Sequence, residues 1–577
     1  MSLPTPAPIN IPLSARFRFR DDIPVSACSS PRSIAVFSGG SAMNTFVTLL
    51  QSFTDDTAYI MPVSDDGGST SEIIKVLGGP GIGDLRSRVV RLAETGSAES
   101  RAVHDLLSYR LPFDTLNANS PTSNPSIPTA KAVWFEILEG RHVLWQGISD
   151  PYRETIRAFL AHFQHELVKS ATRRPPFEYQ GGSIGNFFLT GSRLFFDNLD
   201  AAVFQFARIM RVPPRTEVVP VLATARGVVT IAAALRNGEV IVGQCDISHP
   251  GQMVPEGSRS RTGSLGSSDG KGSATLSTPP TDVPRSQPER LIPFQSLSRH
   301  PSQNLIFSKT ACPSLPSAIR RIYYVNRERQ EIFPDLNPLV VANLARKRTI
   351  IYGCGSLYTS ILPCLVVPGV GRLLADPLSR SSVDRFSIRT SIPSPFPSRS
   401  HLSRVKLLLL NGTHDRESKD YTAMDFVLGI TDALNYSCLA EERARRAVGR
   451  QPSSRSIIQE MEGSHPYGGN SNGKPISPSW WTGNTAASSD GDSGISAGKI
   501  VEMHSDSGRS YLASPHPPGA YITHLLYPED GEVKVEVEKI ESFGIRCIRV
   551  RSTGVEGSQK GHYGIDELKE VLDHLIM

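Results

Sequence analysis

Residues 33–69 read SIAVFSGGSAMNTFVTLLQSFTDDTAYIMPVSDDGGS, and the order of their parts sets the fold class. Ser33–Phe37 is a short apolar run that ends in the turn Ser38-Gly39-Gly40-Ser41. A helical stretch follows, through Leu50. Ala58–Val63 repeats the unit and ends in Ser64-Asp65-Asp66-Gly67-Gly68-Ser69, ahead of a second helix from about Ser71. Continuous apolar runs of this length mark strands buried on both faces. Their alternation with helices implies an α/β fold, a mostly parallel, doubly wound sheet.

The same pattern extends outward. Ile350–Tyr352 and Val405–Leu410 are further continuous apolar strands, and Asn337-Pro338 opens a helix with a polar cap followed by proline. The region Arg101–Phe177 is helical and amphipathic and predicts a side lobe. Val218–Gly243 departs from the alternation. Its Asn237-Gly238 between apolar runs predicts a β-hairpin. Tyr521–Val550 is β-rich and precedes a final helix at Ile565–Leu575.

Three stretches read as disordered inserts, at 250–301, 376–403 and 446–518. The first contains SRSRTGSLGSSDGKGSATLSTPP, which cannot bury enough apolar surface to offset ordering entropy. With a flexible N-terminus at 1–31, this leaves one domain from 32–249 and 302–445, completed by 519–577.

Composition narrows the function classes. The formal charge of +5 is small for 577 residues and is spread over arginine-bearing loops. That argues against nucleic acid, whose binders concentrate basic residues on one face. Seven scattered cysteines with no CxxC suit a reducing compartment, and argue against structural zinc. The longest apolar run, Ile361–Val370, is broken by proline and too short for a bilayer. Arg16, Arg18 and Arg20 are followed by Asp21 and Asp22 with no apolar segment, which disfavours a targeting peptide. The expectation is a cytoplasmic protein with no membrane partner.

In an open parallel sheet, ligands bind beyond the carboxyl ends of the strands, and glycine turns gather there. Besides the two in the opening stretch, they are Gly83-Asp84-Leu85-Arg86, Gly181-Gly182-Ser183-Ile184-Gly185-Asn186, Gly353-Cys354-Gly355-Ser356-Leu357-Tyr358-Thr359-Ser360, and Asn411-Gly412. Glycine lets the backbone approach an anion, and helix N-termini offer N–H donors to it. Ser41, Ser69, Ser356 and Ser360 add hydroxyls. Arg86 supplies a planar fork for phosphate. Asp65 and Asp66 are candidates to hold Mg²⁺ through oxygen or to act as a base. Taken singly, each turn has an ordinary reading: Ser69 with Glu72 fits a capping box, and Asp84 fits a helix cap. Their concentration at successive strand ends is what points to a phosphate-bearing ligand.

Other motifs are missing. No GxGxxG follows the first strand, which disfavours a nicotinamide oxidoreductase. Gly270-Lys271 is followed by Gly272 where a Walker loop needs Ser or Thr. His165-Glu166 lacks a second zinc histidine, so His162 and His165 read as one face of an amphipathic helix. Asn411-Gly412-Thr413 matches a glycosylation acceptor that a cytosolic chain leaves unused.

The segments SGGSAMNTFVTLL, VSDDGGSTSEI, GDLRSRV, GGSIGNFFL, NGEVIVGQCDIS, GCGSLYTSILPCLVVPGV and KLLLLNGTHDRES, in this order, resemble the CofD-like family over most of residues 33–435 outside the inserts. That family includes 2-phospho-L-lactate transferases of deazaflavin cofactor synthesis and bacterial gluconeogenesis factors (UPF0052). The resemblance implies a Rossmann-like fold, often dimeric, holding a GDP- or UDP-linked conjugate across the strand ends with Mg²⁺. In the transferases, phospholactate passes from lactyl-diphospho-guanosine to a deazaflavin hydroxyl and GMP leaves. Carried over, Gly39, Gly40, Ser41, Gly185, Asn186, Gly353, Gly355, Ser356 and Ser360 would hold phosphates, and Asp65 and Asp66 would hold Mg²⁺ or the acceptor hydroxyl. Gly67, Gly68, Ser69, Gly83, Asp84, Arg86, Leu357, Tyr358 and Asn411 complete the expected binding set. VSDDGGST and GSLYTS look closer to the gluconeogenesis factors. That branch implies the alternative of a non-catalytic nucleotide-sugar-binding regulator of carbon metabolism or cell-wall synthesis. Cys354 departs from the proline those proteins commonly carry.

Overall fold

The computed structural model describes residues 32–40, 42–114, 128–172, 174–223, 227–249, 313–375, 404–449, 502–504, 510–512, 515–552 and 561–576. The expected flexible stretches 1–31, 250–301 and 376–403 lie outside these residues, as does Ser41. So does much of 446–518, although a helix runs on to Gly449 and a short hairpin forms near the end of that stretch.

The first three strands are β1 (Ile34–Phe37), β2 (Thr57–Met61) and β3 (Glu217–Pro220). Next come β4 (Thr230–Leu235), β5 (Val240–Val242), β6 (Ile319–Val325) and β7 (Glu331–Ile332). The chain continues with β8 (Thr349–Tyr352), β9 (Val405–Leu409), the hairpin strands β10 (Glu502–His504) and β11 (Ser510–Leu512), then β12 (His524–Pro528) and β13 (Arg546–Val550).

Seven of them form one sheet in the order β13-β12-β9-β8-β1-β2-β3, parallel throughout. Every residue of β1, β2 and β8 is buried, as continuous apolar runs require of a sheet covered on both faces. The chain leaves β1 toward β2 and β3, then returns to β8 on the other side of β1. The strand order therefore reverses between β1 and β8, which opens a crevice at their carboxyl ends.

The α-helices up to residue 249 are α1 (Val47–Phe53), α2 (Gly68–Leu77), α3 (Gly83–Leu92), α4 (Ala98–Ser108), α5 (Ala130–Leu138), α6 (Asp150–Ser170), α7 (Ile184–Phe196), α8 (Leu199–Ile209) and α9 (Gln244–Ser248). Helix α10 (Pro338–Arg346) is capped by Asn337, whose side chain accepts from the Leu339 amide. A π-helical turn, Leu357–Ile361, follows β8.

The side lobe is built from α4 to α7 around an aromatic cluster. Phe163 stacks on Phe187 with centroids 4.6 Å apart, and Trp134 meets Phe187 edge-on at 5.1 Å. His162 and His165 stack on each other along one side of α6, as its amphipathic period requires.

Three local readings give way to tertiary partners. Ser69 and Glu72 do not form a capping box: α2 begins at Gly68 with Gly67 as its cap, and no side chain caps it. Asp84 lies inside the first turn of α3, whose N-cap is Ile82. Val218 belongs to β3 of the parallel sheet, whereas the Asn237-Gly238 hairpin joins β4 and β5 in a separate antiparallel sheet, β5-β4-β6-β7. No helix among the described residues is long and apolar enough to cross a membrane.

Candidate functional site

The residues left partly accessible at the strand ends are largely those with the chemistry. Gly40, Asp65, Asp66, Gly67, Gly68, Asp84, Arg86, Gly355, Ser356, Ser360 and Asn411 are half-buried beside strands that are fully buried. Their loops gather at one edge of the sheet, because each is tied to the next.

The β1 turn meets the β8 turn at Gly39. A Cβ on Gly39 would lie 2.7 Å from the Cβ of Ser360 and 2.9 Å from its Cα, so only glycine admits this contact. Gly39→Ala is therefore expected to push the two turns apart, costing about 2 kcal/mol of stability and weakening ligand binding. Chemical denaturation and nucleotide titration of the variant would check this; unchanged values for both would refute the contact. On the far side of the β8 turn, the Gly355 amide donates to Asn411 Oδ1 at 3.1 Å, and Asn411 Nδ2 donates to the Gly355 carbonyl at 2.8 Å.

The β1 turn also meets α3, since the Gly40 amide donates to the Asp84 carboxylate. Asp65 is fixed by its own turn: Oδ1 accepts from the Gly67 amide at 3.1 Å, and Oδ2 from the Thr70 hydroxyl at 3.4 Å. Gly83 packs against Asp65 Oδ2, which fills the place its side chain would take. Asp66 Oδ1 accepts from the Cys245 amide at 2.8 Å.

Asn186 joins α7 to both neighbouring elements. Its Nδ2 donates to Ser69 Oγ at 2.9 Å, and its Oδ1 accepts from Arg86 Nε at 3.3 Å. Gly185 allows α7 to sit against the Leu107 carbonyl and the Arg86 stem. Gly353 donates to the Phe37 carbonyl and continues the sheet pairing. The amides of Gly68 and Ser69 open α2 and that of Ser356 caps the π-helical turn, positions where a helix leaves N–H groups without intrahelical partners.

Leu357 and Tyr358 depart from the expected binding set in their side chains, which are buried. The Tyr358 hydroxyl bonds Tyr421 at 2.9 Å, and its amide donates to Glu417 Oε2 at 2.9 Å. A protein carboxylate thus already occupies part of that N-terminus.

Burial outweighs the attraction between the carboxylates and the guanidiniums. Asp65 is pushed up to about 8, first by burial and then by the neighbouring Asp84 carboxylate. Burial also raises Asp66 and Asp84. Arg86 is pulled down to about 10, by burial and then by the like charge of Arg110. Asp84 Oδ2 is buried and has no hydrogen-bond partner among the described residues. Partly desolvated carboxylates beside partly desolvated guanidiniums suit a ligand that brings both a cation and an anion.

A family model for the 2-phospho-L-lactate transferase CofD matches residues 34–383. The chain belongs to the CofD family. The matched segment takes in every residue expected at the site except Asn411. Among the relatives of this CofD-family protein is the uncharacterized protein YNL011C of Saccharomyces cerevisiae, 33% identical over 440 residues, covering 74% of this chain and 87% of the yeast one. Two crystal structures of protein BH3568 from Bacillus halodurans, one described as a member of the UPF0052 family, align at 14% identity with TM-scores of 0.43. They cover 94% of this chain and 99% and 98% of the bacterial one.

Residues absent from the sequence reading also shape the CofD-family site. Arg88 is fully buried beneath it, 5.0 Å over the Tyr59 ring, with Nη2 donating to Ser38 Oγ at 3.4 Å. Arg110 faces Arg86 and Asp65 from the end of α4. Cys245 and Glu417 lie within motifs already quoted, NGEVIVGQCDIS and KLLLLNGTHDRES, but nothing local distinguishes them from their neighbours.

Proposed function

We propose that this protein binds a GDP- or UDP-linked conjugate across the carboxyl ends of β1, β2 and β8, and transfers a phospholactyl-type group to an acceptor hydroxyl. The observation carrying this reading is the grouping of buried charges of both signs, Asp65 and Asp84 beside Arg86 and Arg110, at the strand-order reversal, with Asp84 Oδ2 lacking a hydrogen-bond partner among the described residues. Arg86, Asn186 and the amides of Gly68, Ser69 and Ser356 are suited to phosphate oxygens.

Among the described residues, no three His, Cys, Asp or Glu side chains are arranged to hold a metal ion. Mg²⁺ does not need such a cage, since it binds through one or two carboxylates together with substrate phosphates. Of the two carboxylates expected to hold Mg²⁺, Asp65 is the proposed ligand, with the unpartnered Oδ2 of Asp84 beside it, and Asp66 is left to take the proton. Bound there, Mg²⁺ would neutralise charge on the transferred phosphate.

The reaction requires little more than positioning. The acceptor oxygen forms a bond to the lactyl-bearing phosphorus, and the P–O bond to the nucleoside monophosphate breaks. The hydroxyl proton passes to Asp66, whose Oδ1 is held by Cys245. Arg86 and the turn amides stabilise the charge on the departing phosphate.

A thermal-shift panel of GDP, UDP and their sugar and lactyl conjugates, with and without Mg²⁺, tests the reading. A true ligand at a hundredfold excess over Kd adds about 2.7 kcal/mol, and the largest shift is expected from a conjugate with Mg²⁺. If none of these compounds raises the melting temperature, the proposal fails. Binding without turnover of any conjugate would point instead to a nucleotide-sugar-binding regulator.

A further inference from the structure

The loop after β9, Asn411–Ser418, reaches both halves of the cleft. Asn411 exchanges hydrogen bonds with Gly355, and Glu417 accepts from the amides of Tyr358 and Thr359, so this loop fixes the β8 turn. Arg416, beside Glu417, points the other way. Its Nη1 donates to the carbonyl of Asp246 at 2.7 Å and to that of Ile247, and its Nε donates to the carbonyl of Pro313 at 2.7 Å.

Asp246 and Ile247 lie in α9, toward the end where a cation is favoured by the unpaired carbonyls. The opposite end of α9 grips Asp66. Cys245 donates its amide to Asp66 Oδ1, and Gln244 Oε1 accepts from the Ser64 hydroxyl at 3.0 Å. Gly243, at φ +104°, lies so close that a side chain there would stand 2.8 Å from Asp66 Oδ2. A helix of five residues is too short to hold itself in place, so its position is set by what grips its ends.

We propose that Arg416 is a positioning residue for the transfer reaction: it clamps α9 so that Cys245 presents its amide to Asp66. This rests on the reading of Asp66 as a carboxylate of the transfer site, whose position the Cys245 amide fixes. Arg416 acts through α9 and the Cys245 amide. Its planar fork bonds carbonyls on two segments at once, which a lysine ammonium matches only in part.

The test uses the full chain as wild type, Arg416→Met and Arg416→Lys, with lactyl-diphospho-guanosine, a deazaflavin acceptor and Mg²⁺. Arg416→Met is expected to lower kcat about 10- to 100-fold while KM for the donor stays within about twofold. Arg416→Lys is expected to recover part of the loss. Hydrogen exchange is measured in parallel. The peptide covering 243–249 should exchange about tenfold faster in the Met variant, with the peptide covering 357–361 unchanged. An unaltered kcat, or unaltered exchange at 243–249, would overturn the proposal. Should Arg416→Met not fold, the same comparison is made with Arg416→Lys. Should the wild type show no turnover with this pair, the transfer reading fails by itself, and exchange at 243–249 still decides whether Arg416 holds α9.

Discussion

Asparagine in place of Asp65 or Asp66 is expected to lower turnover by about 10²- to 10⁴-fold while nucleotide affinity stays within a few-fold. The separation follows from the contacts. Direct phosphate contacts are assigned to Arg86, Asn186 and turn amides, so the affinity compared is that of nucleotide without Mg²⁺. The Asp65→Asn side chain would keep the present geometry, because its carbonyl oxygen can accept from the Gly67 amide and its NH₂ can donate to the Thr70 hydroxyl. The substitution also removes a carboxylate whose pKa is raised first by burial and then by Asp84, so Asp65→Asn should melt at or above the wild-type temperature. Single-turnover kinetics, nucleotide titration and calorimetry of both variants measure these quantities. Full activity in both would remove the carboxylates from the mechanism. Loss of binding together with turnover would make them ligand contacts only.

Glu417→Ala should destabilise the ligand-free protein by about 3 kcal/mol, from the loss of buried hydrogen bonds. Its carboxylate accepts from the Tyr358 amide at 2.9 Å, from the Thr359 amide at 3.1 Å and from the Thr359 hydroxyl. Removing it strands two backbone donors where water is excluded, at about 1–3 kcal/mol each. Glu417→Gln keeps the two amide bonds through its carbonyl oxygen and reverses the third, its NH₂ donating to the Thr359 hydroxyl, and so separates charge from structure. Burial, with Asp415 beside it, pushes the Glu417 carboxyl up to about 8, outweighing the hydrogen bonds that favour ionisation. The folded state then holds a proton that the unfolded chain has already released. Its stabilising contribution is complete below the ordinary value of 4.5 and is lost as pH rises toward 8. Wild-type stability should accordingly fall relative to Glu417→Gln across that window. Denaturant midpoints of the two proteins at about pH 5 and about pH 8, near the two ends of that window, would measure it, and a constant difference would show that Glu417 is ionised throughout.

The chain determines by itself whatever rests on neighbours a few residues apart. Ser33–Phe37 and Ala58–Val63 announce buried parallel strands because a continuous apolar run has no polar face to expose. Asn237-Gly238 turns a hairpin because Gly238 adopts φ +91°, and Asn337 caps α10 two residues away. The glycine turns that end successive strands are legible for the same reason, and with them the sheet edge at which the candidate site lies.

Only the tertiary structure decided what those turns touch. Ser69 and Glu72 carry the local signature of a cap, yet Ser69 bonds Asn186 and Glu72 accepts from the Glu178 amide, each more than a hundred positions away. Cys245 meets Asp66 across 179 positions, and Arg416 meets Asp246 across 170. Parallel strands joined by long crossovers bring such residues together at one edge, and no periodicity within a segment encodes which partner arrives. The burial that raises Asp65 and lowers Arg86 has the same origin, since desolvation is a property of the assembled cleft and not of any residue in the chain.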